Sequence, residues 1–440
     1  MNAPGGRSSD PPIVPALSLR RNVAWTLAGN GLYAASQWAM LVVLAKLLSS
    51  EDVGRFALGL AVTAPVFMFS NLQLRAVQAT DQAQPIPFQT YLRLRVLLTA
   101  LALVVLSGIA CGGPYTAATA GVILALAAAK AFESFSDIAY GLLQQRERMD
   151  RIAMSMILKG LGSLAALGIA VHLTRSVLWG AAALAGTWAL VFFAYDAPNA
   201  NRIRAGIRVS EASNRWNWAE MKSVAVFALP LGAVTVLLSL NANIPRYFLM
   251  HYGGEHDVAM FSAMAYILVA GNSVVSALGQ AATPRLARGF AEGNRDDLRK
   301  ILLRVGAVAC VLGTAGIVAA VFAGSALLSL LYRNEYAAYP TAFSWIMVAG
   351  AAQYLGAVLG YGVTAARWFR GQLYIHSVCL FAALVANGLL VARFGVEGAA
   401  LAFALTSSLA TAAFGVALYV LMKFQNHPMH IATPGGGAEP

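Results

Sequence analysis

The sequence predicts an all-α integral membrane protein, with about twelve transmembrane helices in two parallel six-helix lobes around a central cavity. Three observations lead there. Of the 440 residues, 59% are hydrophobic and only 11% charged, with a mean hydropathy of +0.65, whereas a soluble domain carries about 25% charged residues. Single cores stop growing at about 250–300 residues, so much of this apolar surface must face lipid. Apolar runs near the roughly 17–25 residues that cross a bilayer recur along the whole chain, and short matches at a nearly constant offset divide it in half.

Residues 1–20 contain Pro4, Pro11, Pro12 and Pro15 without an apolar stretch, and read as a disordered cytoplasmic tail. The run from Val23 to Leu48 is too long for a signal peptide. The first lobe, 21–195, holds runs at 22–47, 54–76, 94–112, 115–141, 152–172 and 176–195. A basic, Asn/Ser-rich cytoplasmic linker at 196–221 precedes the second lobe, 222–424. Its runs lie at 222–249, 258–281, 300–323, 340–365, 372–392 and 397–422, before a cytoplasmic tail at 425–440. Ser49-Ser50-Glu51-Asp52, Pro85-Ile86-Pro87, Gly112-Gly113-Pro114 and Gly253-Gly254 punctuate the runs.

The net charge of +12 would suggest a nucleic-acid partner in a soluble protein. Here the excess of cations on cytoplasmic loops explains it, and no nucleic acid is expected. With the N-terminus inside, 23 of the 31 Lys and Arg fall in cytoplasmic segments and 6 outside, Arg93 and Arg95 being counted among the former. That split places both termini on the cytoplasmic side and makes the number of spans even.

Asp52-Val53-Gly54-Arg55-Phe56 recurs as Asp257-Val258-Ala259-Met260-Phe261. Ala79-Thr80 and Leu92-Arg93 recur as Ala282-Thr283 and Leu298-Arg299. Six runs per copy make both copies enter the membrane in the same direction, an arrangement of parallel repeats that permits alternating access.

Polar side chains inside the runs mark faces turned to protein or water. Thr26, Asn30, Tyr33 and Gln37 form one stripe, and Thr235, Ser239, Asn243 and Arg246 another. Asn272, Ser276 and Gln280 form a third, and Asn71 with Arg75 ends the second run. Equivalent places in the repeat favour a shared wet cavity over hydrogen bonding between packed helices. Lys130, Glu133 and Asp137 fall on one helix face, and Lys159 lies about two turns into the fifth run. Two readings stay open for them: an internal ion network, or a site where Glu133 and Asp137 couple transport to a proton or sodium gradient. Arg75, Lys130, Lys159 and Arg246 would together make the cavity cationic and suit an anionic headgroup, although Arg75 and Arg246 also fit as interfacial residues that snorkel. Cys111, Cys310 and Cys379 are scattered and the six His lack ligand spacing, so no metal, cofactor or enzyme site is expected.

Certain segments resemble Wzx-type polysaccharide flippases of the multidrug/oligosaccharidyl-lipid/polysaccharide exporter superfamily. Arg21-Asn22-Val23-Ala24-Trp25 is similar to their start. Leu44-Ala45-Lys46-Leu47-Leu48-Ser49-Ser50-Glu51-Asp52-Val53-Gly54-Arg55-Phe56 resembles their first outside segment, with Lys46 for the usual arginine. Asn71-Leu72-Gln73-Leu74-Arg75 and Pro284-Arg285-Leu286-Ala287 are similar to the ends of corresponding spans. The resemblance implies movement of undecaprenyl-pyrophosphate-linked oligosaccharide from the cytoplasmic to the periplasmic leaflet, with membrane lipids and polysaccharide polymerase or assembly proteins as partners. Tyr33, Trp38, Tyr247 and Tyr361 are candidates to stack on sugars. The alternatives are a cation-coupled drug or small-molecule antiporter of the same superfamily, and a non-transporting scaffold for polysaccharide assembly.

Overall fold

The computed structural model describes residues 18–80, 86–205, 216–366 and 368–423, which are helical almost throughout. The elements of the first half are α1 (Leu19–Leu47), α2 (Ser50–Asn71), α3 (Leu74–Thr80), α4 (Phe88–Gly112), α5 (Ala117–Gln145), α6 (Met149–Thr174), α7 (Val177–Val191) and α8 (Ala197–Ala205). The second half follows with α9 (Trp218–Tyr252), α10 (Gly254–Tyr266), α11 (Leu268–Glu292), α12 (Arg295–Leu331), α13 (Pro340–Ala365) and α14 (Phe369–Lys423). The protein is a multi-pass membrane protein. Among the described residues, eleven helical stretches are long and apolar enough to cross a bilayer. The last is 53 residues long, far more than one crossing of about 30 Å needs. Gly395 breaks it with φ 51° and ψ −127°, a conformation that favours glycine, and the two pieces are the eleventh and twelfth crossings.

Local chemistry explains where helices start and stop. Ser49 Oγ accepts from the Asp52 N–H at 3.3 Å, and Glu51 and Asp52 occupy the positive first turn of α2. Thr116, Asn217 and Asn294 cap α5, α9 and α12 in the same way. Leu72 and Gln73 adopt left-handed φ and separate α3 from α2. The expected run at 340–365 coincides with α13, where Pro340 at the first position supplies a preset φ without a wasted donor. The sixth crossing departs from expectation. Asp196, assigned above to the linker, instead closes a five-residue π-helix, Phe192–Asp196, between α7 and α8, and helix continues to Ala205. Residues 206–215 of the expected linker, most of the 1–20 tail and all of 425–440 lie outside the described residues.

Helix pairing repeats between the halves. α1 packs on α6 as α9 packs on α14, while α2 and α4 flank α5 as α11 and α12 flank α13. The outward surface is apolar, with Leu173 75% and Phe322 84% exposed, as lipid contact requires. We call the face from which α1 enters the near face. At the far face the lobes are clasped. The repeated segment at Asp52 and Asp257 begins α2 and α10, which pack together with Val53 and Val258 completely buried. A Cβ on Gly54 would collide with the Glu255 carbonyl, so only glycine allows this approach. Arg55 donates to Glu255 at 2.8 Å and to Asp52 at 2.7 Å, Thr119 bonds Glu255, and His256 meets Ser50 at 2.8 Å. Nearer mid-depth, Tyr247 donates to the Ala61 carbonyl at 2.5 Å.

Candidate functional site

A cavity of about 670 Å³ lies in the first lobe, walled by α1, α2, α5 and α6. Tyr33, Arg75, Lys130, Glu133, Asp137 and Lys159, all singled out from sequence, line it together with Asn71, Gln73, Tyr140 and Gln144. Lys130, Glu133 and Asp137 share it because spacings of three and seven return to one helix face. Gln73, Arg75 and Gln144 form its near-face end, where α2 has finished and α5 is finishing.

The pairings are more specific than the sequence implies. Lys130 Nζ lies 2.6 Å from Glu133 Oε2, and Tyr33 donates its hydroxyl to Glu133 Oε1 at 3.1 Å. Asp137 does not take a lysine. It accepts from Arg95 at 3.0 Å and faces Arg75 at 3.7 Å. Arg75 also donates to Gln144 at 3.0 Å and lies over the Tyr140 ring. Lys159 pairs with Asp196 at 3.1 Å and donates to the Tyr140 hydroxyl at 3.2 Å. Arg95 and Asp196 are completely buried and were both missed. Arg95, counted above among the cytoplasmic cations although the run 94–112 contains it, lies near the start of α4 and also bonds Asn71. The available signal for Asp196 was Lys159 itself, since a lysine this deep requires a carboxylate.

The network therefore holds four cations and three carboxylates. The ions are paired, as the reading of an internal ion network expects, and of them Arg75, Lys130, Glu133, Asp137 and Lys159 line the cavity. Exposure separates them. The side chains of Arg75 and Lys130 are 29% and 25% exposed, against 3% for Lys159 and none for Arg95. Arg75 and Lys130 can reach a ligand, whereas Lys159 and Arg95 hold helices in register.

Other expected residues lie elsewhere. Arg246 is in neither cavity; it donates to Ser262 at 2.9 Å and to Asn243 at 3.1 Å, tying α9 to α10 beneath the clasp. Asn243 donates back to Ser239 at 2.8 Å within α9. Asn30 is exposed, and Gln37 is half-buried, its Nε2 without a partner among the described residues. Ser276 is half-buried on α11, and Gln280 lies one turn further along it. Among the described residues, no cluster of three His, Cys, Asp or Glu could hold a metal.

Asn272 and Tyr361 line a second cavity, of about 400 Å³, in the second lobe. Its walls come from α9, α11, α13 and the first piece of α14, the counterparts of α1, α2, α5 and α6, and from the second piece of α14 after Gly395, the counterpart of α7. Among the described residues that line it, none is Asp, Glu, Lys or Arg.

Residues 19–290 match the family described as "Polysaccharide biosynthesis protein", more than half of the chain. The chain belongs to that family. It is 25% identical over 396 residues to the capsular polysaccharide biosynthesis protein CapF of Staphylococcus aureus, spanning 89% of this chain and 96% of the relative. The fold is similar to the inward-facing conformation of a multidrug resistance MATE family transporter of the MOP superfamily, with TM-score 0.67 and 14% identity over 96% of this chain and 98% of the other. It is also similar to a MOP superfamily transporter from Pyrococcus furiosus, with TM-score 0.65 and 14% identity over 92% and 95% of the two chains. The family match bears out the resemblance to polysaccharide-biosynthesis membrane proteins, and the structural likenesses bear out the two-lobed helical fold read from the sequence.

Proposed function

We propose that this protein carries polyprenyl-diphosphate-linked oligosaccharide from the inner to the outer leaflet of the bacterial cytoplasmic membrane, with both termini cytoplasmic. The observation that carries the reading is the pair of partly exposed cations, Arg75 and Lys130, in a cavity behind a clasped far face. A diphosphate cannot cross about 30 Å of hydrocarbon unaided. A guanidinium and an ammonium held at one wall replace part of its hydration with charge-assisted hydrogen bonds. The near face then corresponds to the cytoplasm, and releasing the clasp at Arg55 and Glu255 opens the cavity outward.

The carboxylates serve as the coupling groups in this reading. Protonation of Glu133 breaks its 2.6 Å pair with Lys130 and frees the ammonium for the headgroup. Proton or sodium entry thus changes how many donors the substrate meets. A drug-cation antiporter would need a carboxylate free to take the cargo, whereas Glu133 and Asp137 are both engaged by cations.

The test is leaflet-resolved measurement of lipid-linked saccharides in cells depleted of the protein. Complete repeat units accumulate on the cytoplasmic leaflet if the reading is right; normal surface polysaccharide with no accumulation removes it. In complementation, Arg75→Gln lowers export by roughly 10–100-fold, the worth of a hydrogen bond to a charged group. Undiminished export at normal protein level would take Arg75 out of the site.

A further inference from the structure

The second-lobe cavity is the repeat counterpart of the charged one, with its chemistry replaced position by position. Lys130, Glu133 and Asp137 line the first cavity from α5; Gln353, Gly356 and Gly360, at the same spacings of three and seven, line the second from α13. Lys159 stands ten residues after the first residue of α6, and Cys379 ten after the first of α14. The repeat has kept a cavity whose described lining residues include no Asp, Glu, Lys or Arg, with His376 as the one titratable ring among them.

What remains is a set of neutral hydrogen-bonding groups with unused capacity. Asn272 has no hydrogen-bond partner among the described residues, although it lines the cavity. Gln353 donates to Ser407 at 3.2 Å, leaving its carbonyl oxygen unpartnered among the described residues. Asn241 directs its NH₂ group to the Leu237 and His376 carbonyls at 3.0 and 3.2 Å, so its side-chain oxygen is likewise available. Tyr361 and Phe414 add aromatic surface. Among the described lining residues an anion meets no Lys or Arg, and a cation meets no carboxylate. A purely apolar ligand would cover the amides and leave them unpaired, at a cost of about 1–3 kcal/mol each. A neutral polyhydroxylated ligand supplies O–H donors to the amide oxygens and apolar ring faces to the aromatics, and the volume lies in the ordinary range for a ligand site.

We propose that the second-lobe cavity is a saccharide subsite, so that the two lobes divide one amphiphilic substrate, the first holding its diphosphate and the second its sugars. This rests on the lipid-diphosphate reading above. Gly360 provides a clean way to test it, because a Cβ there meets nothing within 4 Å. Gly360→Leu starts from a Cβ with open space around it and extends bulk into the second-lobe cavity, and Asn272→Ala removes an amide without adding bulk.

The experiment measures affinity of the purified full-length protein for two probes. One is undecaprenyl diphosphate; the other is the saccharide-bearing polyprenyl diphosphate extracted from cells depleted of this protein. Wild type binds the saccharide-bearing lipid about tenfold more tightly, the worth of one or two neutral hydrogen bonds. Gly360→Leu and Asn272→Ala each erase most of that preference and leave binding of the bare lipid within about twofold. Equal wild-type affinity for the two probes overturns the subsite, as does a preference that survives in both variants. In either case binding of the bare lipid and its dependence on Arg75 stand. Failure of wild type to bind the bare lipid overturns the diphosphate reading instead, and failure to bind either probe overturns both.

Discussion

The two cavities occupy equivalent places in the repeat, yet one is built from ion pairs and the other from amides, hydroxyls and glycines. In the first lobe Lys130, Glu133, Asp137 and Lys159 each project from a cavity-lining helix and must find a counter-charge. Lys130 and Glu133 find it in each other, Asp137 on α4 and Lys159 in the π turn after α7, so that α4 and this turn become part of the site's foundation. In the second lobe the described residues of α13 and α14 that line the cavity include no Asp, Glu, Lys or Arg to demand such partners. The same helix pairing can thus carry opposite electrostatics, because backbone geometry sets where a cavity forms and side chains set what it holds.

Removing one member of the buried ion pair in the first lobe is the harshest way to break the comparison. Lys159→Ala strands Asp196, which is completely buried, and costs about 3–5 kcal/mol. A large fall in the unfolding midpoint of the purified protein is expected; a midpoint equal to wild type would mean that the pair does not stabilise the lobe. Next comes the clasp between lobes. Gly54→Leu forces α2 away from the Glu255 carbonyl at a cost of about 1–3 kcal/mol and opens the far face. Faster labelling of a cysteine introduced near the Ala61 carbonyl by a membrane-impermeant reagent from the far side checks this, and unchanged labelling would mean the clasp is no gate.

Smaller effects sharpen the contrast. Lys130→Gln with Glu133→Gly gives α5 the pattern of α13. The two side chains are partly exposed and pair locally, so stability changes by no more than about 1 kcal/mol, apart from about 1 kcal/mol for the new helical glycine. Export nevertheless falls, which separates binding from folding in a single variant. Export at the wild-type level would return the first cavity to a structural role. Gly360→Leu is expected to raise stability by about 0.5–1 kcal/mol through helix propensity, since its Cβ enters open space. A lowered unfolding midpoint would show that the second cavity is packed rather than hollow.

Much of the fold was legible because lipid imposes length. The run at 340–365 matched α13 residue for residue, and the last two runs were separated correctly around Gly395. Run boundaries failed where polarity and helicity part company. The π turn carries Asp196 inside the sixth crossing, and Leu72 and Gln73 interrupt what reads as one span. The grouping of Lys130, Glu133 and Asp137 was visible because one helix holds them. The placement of Arg246 was not, because Ser262 and Phe261, which hold it, belong to the neighbouring α10.

By itself the amino-acid sequence determined the solvent, the number of crossings, the repeat and the faces on which charges lie. These follow from apolar length and from the 3.6-residue period, both properties of a single segment. Only the tertiary structure decided which charges meet: Asp137 with Arg95, Lys159 with Asp196, and Arg55 with Glu255 across the lobes. Ion pairs act over a few ångströms between helices distant in sequence, so their partners are set by packing rather than by pattern.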